Sequence, residues 1–123
     1  MKVAIPRMGE WVAPCFEYCS TMAIFTFAEF GPTEQVDFPL QSREPFDRVR
    51  LLRDQEVDTL ICGGMQSFYE DLLQASGFEV ISWVSGLVED LLQAYLGGNL
   101  ESGDELPGVI GPDFLSMDRM MGH

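Results

Sequence analysis

The chain has 123 residues, 46% of them hydrophobic, and sets seven basic side chains against twenty acidic ones for a formal charge of −13. So acidic a composition cannot supply the phosphate-neutralising surface that nucleic-acid binding requires, and no window approaches the roughly 20 apolar residues of a membrane span. The length suits one domain with a single core. Three cysteines in an otherwise unstapled chain, with no signal-peptide pattern ahead of Arg7, point to the cytoplasm.

In chain order, Lys2 to Pro6 alternates as a short buried strand ended by proline, and Arg7 to Tyr18 is an irregular, apolar loop carrying Trp11, Cys15 and Phe16. Met22 to Phe27 reads as a central strand. Gly31-Pro32 turns into an edge strand, Gln35 to Phe38, closed by Pro39. Phe46, Val49 and Leu52 recur at helical spacing, which predicts a helix over Phe46 to Gln55 with Arg48, Arg50 and Arg53 on its solvated side. Thr59 to Cys62 is the next strand, stopped by Gly63-Gly64. Ser67 stands three residues ahead of Glu70, a capping-box pattern that opens a helix running to Ala75. Glu79 to Val84 is a fifth strand. Leu87, Val88, Leu91, Leu92 and Tyr95 mark an amphipathic third helix stopped by Gly97-Gly98. Beyond about Glu101 glycine, proline and acidic residues dominate and periodicity disappears, so residues 101–123 are expected to form a loosely attached tail on a 1–100 domain.

This order, β-β-β-α-β-α-β-α, is a meander followed by two α/β units. Right-handed crossovers give a mixed five-stranded sheet in order 3-2-1-4-5 with three helices on its faces, an α/β architecture in three layers like that of ribonuclease H. The connections after strands one and four leave the carboxyl edge in different directions and open a crevice there. The loops Arg7 to Tyr18 and Gly63 to Gln66 meet at that crevice, beside the turn Val84 to Gly86.

Several residue types near that edge carry chemistry. Cys15, Cys19 and Cys62 are soft ligands suited to copper(I), zinc or metal–sulfur clusters, or else small buried hydrophobes. Gly63-Gly64 before a helix start offers backbone N–H groups to an anion, yet it also serves as an ordinary turn. Met8 and Met65, and in the tail Met117, Met120 and Met121, are thioether donors or simple gap fillers. His123 is the sole histidine and ends the chain, which disfavours Ser–His or Cys–His catalysis. The first strand carries no acid, which disfavours a two-metal nuclease despite the architecture.

The opening MKVAIP, the loop GEWVAPCFEYC, the segment VDTLICGGM and the closing GLVEDLLQAYLGGNL together resemble the dinitrogenase iron–molybdenum cofactor biosynthesis family over roughly residues 1 to 100. The resemblance implies a ribonuclease H-like fold without nuclease activity, used to bind or carry metal–sulfur clusters or their precursors. The family's first loop commonly reads S-P-x-F, often with histidine at x. Here Ala13-Pro14-Cys15-Phe16 puts the softer Cys15 at that position, and Ser85-Gly86 occupies the family's turn before the last helix.

The expectation is therefore a non-enzymatic cytoplasmic carrier of a metal–sulfur cluster containing molybdenum with iron or copper. Cys15, Cys19 and Cys62 are its metal ligands. Arg7, Met8, Gly63, Gly64, Met65, Ser67, Ser85 and Gly86 surround the cofactor, and a donor or acceptor protein is its partner. The alternative is an acidic protein-interaction module whose cysteines are structural.

Overall fold

A computed structural model describes residues 1–29 and 34–105. Its elements are β1 (Lys2–Met8), β2 (Trp11–Val12), β3 (Thr21–Thr26), β4 (Glu34–Pro39), α1 (Phe46–Asp54), β5 (Thr59–Ile61), α2 (Ser67–Ala75), β6 (Glu79–Ile81) and α3 (Val88–Leu96). The sheet runs β4-β3-β1-β5-β6, with β1 antiparallel to β3 and parallel to β5, and β5 parallel to β6. That is the expected 3-2-1-4-5 order with one strand more, because β2 pairs back on β1.

The extra strand arises where the sequence reads as irregular loop. β1 runs past Pro6 to Met8, and the two-residue turn Gly9-Glu10 returns the chain so that Met8 faces Trp11 and Arg7 faces Val12. Gly9 has φ +63°, the left-handed value that such a tight hairpin turn demands. A two-residue strand has no periodicity to read.

Alternation along the strands sorts side chains to two cores. Ala4, Met22, Ile24, Leu60 and Cys62 pack with Leu52 of α1 and with Tyr69 and Leu73 of α2. Val3, Ile5, Ala23, Phe25, Ile61 and Ile81 pack with Val88, Leu91 and Leu92 of α3. The three layers are thus α1 and α2, the sheet, and α3.

Four local expectations are corrected. Arg48 is buried, not solvated: its guanidinium donates to the carbonyls of Ser42, Glu44 and Cys19. Ser67 does not cap α2. Gln66 is the N-cap residue without a side-chain cap bond, and Glu70 accepts from the Ser82 hydroxyl instead of reaching back. β6 stops at Ile81, because Trp83 takes φ +60° and cannot continue a strand. Finally, residues 101–105 are tied to the domain: Ser82 N–H donates to Ser102 Oγ (3.0 Å), Gly103 N–H to Ser82 O (2.9 Å) and Ser85 N–H to Asp104 O (3.1 Å). The Gly31-Pro32 turn and the remainder of the expected tail, with Met117, Met120, Met121 and His123, lie outside the described residues.

Candidate functional site

The carboxyl ends of β1, β5 and β6 lie side by side, and the loops leaving them are laced together by backbone. Gly64 N–H donates to Pro14 O (2.8 Å), Phe16 N–H to Gly64 O (2.9 Å), Trp83 N–H to Gly63 O (2.8 Å) and Val12 N–H to Gly86 O (3.0 Å). Cys15 and Gly64 form a parallel bridge. Around these contacts opens a crevice of about 530 Å3 lined by Trp11, Val12, Pro14, Gly63, Gly64, Trp83, Val84, Ser85, Gly86 and Glu105.

The glycines have an intramolecular reason. A Cβ on Gly63 would lie 2.5 Å from the Ala13 carbonyl oxygen, and one on Gly64 would meet Pro14 O at 2.9 Å and the Trp83 ring at 3.1 Å. Only glycine lets the two loops approach this closely. Close approach also leaves donors over: among the described residues, the N–H groups of Gly63 and Gly86 find no acceptor.

The α2 N-terminus is another matter. The sequence offers it to an external anion, yet its N-cap N–H, that of Gln66, donates to Glu17 Oε2 at 3.0 Å. Glu17 is only 2% exposed, and its other oxygen faces the Cys15 thiol at 3.8 Å. This carboxylate satisfies from within the dipole that a ligand would otherwise meet. Nothing in the sequence marks Glu17 apart from other acids.

The three cysteines differ in state. Cys15 is half-buried, whereas Cys19 and Cys62 are buried in the α1/α2 core. Burial pushes the Cys19 thiol up to about 11, against a partial pull downward from Arg48. Burial pushes Cys62 further in the same direction, helped by the Glu70 and Glu17 carboxylates. Burial therefore disfavours the thiolate form at both positions. Among the described residues, no three His, Cys, Asp or Glu side chains group closely enough to hold a metal ion.

Of the other expected site residues, Gly63, Gly64, Ser85 and Gly86 come together on the crevice. Met65 is buried in the core behind it, and Ser67 is exposed on the first turn of α2. Met8 is exposed at the end of β1, and Arg7 lines a different cleft, beside Phe25, Gln35 and Leu92, with its Nη1 3.4 Å from Asp37. Trp11 and Trp83, to which the sequence assigns no role, both line the crevice; Trp83 is 61% exposed despite its size. The only charged residue on that wall is Glu105, among the described residues. No described helix is long and apolar enough to cross a membrane.

Solved structures with this fold include three with informative names. The apo form of the orange protein from Desulfovibrio gigas is similar with a TM-score of 0.64 and 22% identity, over 82% of this chain and 91% of that one. A protein from Thermotoga assigned as NifB gives a TM-score of 0.61 and 25% identity, over 82% and 91%. One from Methanocaldococcus jannaschii assigned as a dinitrogenase gives 0.61 and 19%, over 82% and 92%. No curated protein sequence matches the chain. The family model described as "dinitrogenase iron-molybdenum cofactor" matches residues 1–98, most of the chain, and the protein belongs to that family.

Proposed function

We propose that this protein is a non-catalytic carrier that receives an anionic metal–sulfur cofactor or precursor, of iron–molybdenum or molybdenum–copper type, and passes it to an acceptor protein. The observation that carries this reading is the crevice: two amides without acceptors, those of Gly63 and Gly86, lie on a wall that Pro14 and Gly64 join to the half-buried Cys15. Unpaired amides favour negative charge, and a thiolate is a soft ligand for copper, molybdenum or iron. Family membership supports the class of cargo.

In this reading Gly63, Gly64, Ser85 and Gly86 cradle the cargo with main chain, and Cys15 supplies the protein's one ready thiol. Cys19 and Cys62 back the Cys15 loop from the core. Loading asks for no bond making beyond ligation, with the Cys15 thiol giving up its proton as sulfur binds metal. Three free thiols fit a cytoplasmic setting.

Anaerobic purification followed by metal and sulfide analysis and visible absorption tests the reading. The expected result is bound molybdenum, iron or copper with acid-labile sulfide, and loss of most of it in Cys15→Ser. A metal-free protein whose apo form takes up neither tetrathiomolybdate nor copper(I) would instead favour an acidic interaction module.

A further inference from the structure

Among the described residues, the wall of the crevice carries no side-chain cation. Arg7, the basic residue closest in sequence to the crevice loops, lines a separate cleft. Glu105 stands on the wall, and the whole chain carries a formal charge of −13. A small, hard oxyanion entering here would lose its hydration shell against Trp11, Val12, Pro14, Trp83 and Val84 and recover only a few backbone N–H bonds. That exchange is unfavourable, because desolvating concentrated charge without a partner is costly. An anion whose charge is spread over large, polarisable sulfur atoms loses far less water on entering and gains dispersion contact with the apolar wall.

Trp83 is the unusual member of this wall. It is a bulky residue at φ +60°, a backbone conformation that L side chains rarely adopt, and it remains 61% exposed. Its backbone is fixed by Trp83 N–H to Gly63 O and by Val84 N–H to Cys62 O (3.2 Å). Its ring lies over Gly64, where the absent Cβ makes room for it. The core does not call for such a residue. Strain held in place at a crevice, by a side chain that buries little, points to a task at the crevice itself.

We propose that Trp83 is the selectivity residue of the crevice: held over Gly64 in the left-handed conformation and facing the same cavity as Trp11, it admits sulfide-covered anions and rejects oxyanions of equal charge. This rests on the carrier reading, since it names what distinguishes the cargo. Cys15 and the glycine amides bind the cargo, whereas Trp83 decides between sulfur and oxygen at its surface.

The probes are tetrathiomolybdate and molybdate, tetrahedral dianions that differ in sulfur against oxygen, each measured by anaerobic equilibrium dialysis with metal analysis. The variants are Trp83→Asn, which removes the ring while tolerating positive φ, and Trp83→Phe, which keeps an aromatic ring. The intact protein should prefer tetrathiomolybdate by at least about a hundredfold. Trp83→Asn should lower that preference by about tenfold or more with an unchanged or higher melting temperature, and Trp83→Phe should restore most of it. Binding of both anions with similar affinity would overturn the selectivity proposal while leaving the carrier reading intact. An unchanged ratio in Trp83→Asn would do the same, as would a parallel fall for both anions together with a lower melting temperature, the mark of a structural role. Failure of tetrathiomolybdate as well as molybdate to bind the intact protein would overturn both readings.

Discussion

Gly63→Ala measures how closely the two crevice loops must approach. The added Cβ would lie 2.5 Å from Ala13 O and 3.1 Å from Pro14 O, and both obstacles are backbone that cannot rotate away. Ordinary contact begins at 3.4 Å, so the loops must part by 3.4 − 2.5, about 0.9 Å. The same displacement would stretch the Gly64 N–H bond to Pro14 O from 2.8 to about 3.7 Å and would strain Phe16 N–H to Gly64 O in step. Two backbone groups left short of partners cost about 1–3 kcal/mol each, and the stiffer unfolded chain returns only about 0.4–1 kcal/mol. The net loss should be about 1–5 kcal/mol, a large part of the 5–15 kcal/mol typical of a domain. Urea unfolding followed by tryptophan fluorescence would read it. Gly97→Ala is the control: its φ is ordinary, and its nearest neighbour is the movable Asn99 amide at 3.2 Å, so it should stay within about 0.5 kcal/mol of wild type. If Gly63→Ala were as stable as Gly97→Ala, the loops would not approach as described.

At pH 7 under anaerobic conditions a disulfide exchange reagent should titrate one thiol quickly and two slowly, with Cys15→Ser abolishing the fast phase; two fast thiols would contradict the burial of Cys19 and Cys62. Alkali should destabilise the fold by a definite route. Cys19 holds its proton up to about 11 when folded, against an ordinary 9.0, so its contribution is complete below about pH 9 and lost as pH rises through 11. At about 1.4 kcal/mol per unit that is about 3 kcal/mol, with Cys62 adding in the same sense, and Cys19→Ala should flatten the fall measured between pH 8 and 11. A chain ended at Leu100 should be about 2–4 kcal/mol less stable than one ended at Glu105, because it lacks the three bonds to Ser82 and Ser85; equal urea midpoints would show that those bonds contribute nothing.

The five longer strands were legible as short apolar or alternating runs, three of them marked by Pro39 ending β4, Gly63 just after β5 and Gly77 just before β6, and right-handed crossovers leave one sensible order. Local chemistry was harder wherever a distant residue supplies a partner. Ser67-x-x-Glu70 has the form of a cap, but Gln66 is the N-cap residue and its amide donates to Glu17 from another loop. Arg48 shares a helix with the exposed Arg50 and Arg53, and only the fold reveals that the Cys19 loop closes over it. The crevice loops were readable from topology, yet the two tryptophans on its wall look in sequence like any large apolar residue. Cys19 and Cys62 are buried, and spacing alone does not choose between burial and ligation.

The main-chain lacing of Val12, Pro14, Phe16, Gly63, Gly64, Trp83 and Gly86 means that the shape of the crevice is specified almost without side chains. Its outline can therefore persist while the residues facing inward are exchanged. Within that frame, the wall side chains Trp11 and Trp83 can change without disturbing the backbone contacts, provided the paired glycines stay. Relatives at about 20–25% identity retain this fold, as a frame written in backbone would allow. If the crevice holds a cargo as proposed, a change of cargo needs only a few substitutions on the wall, and no remodelling of the sheet.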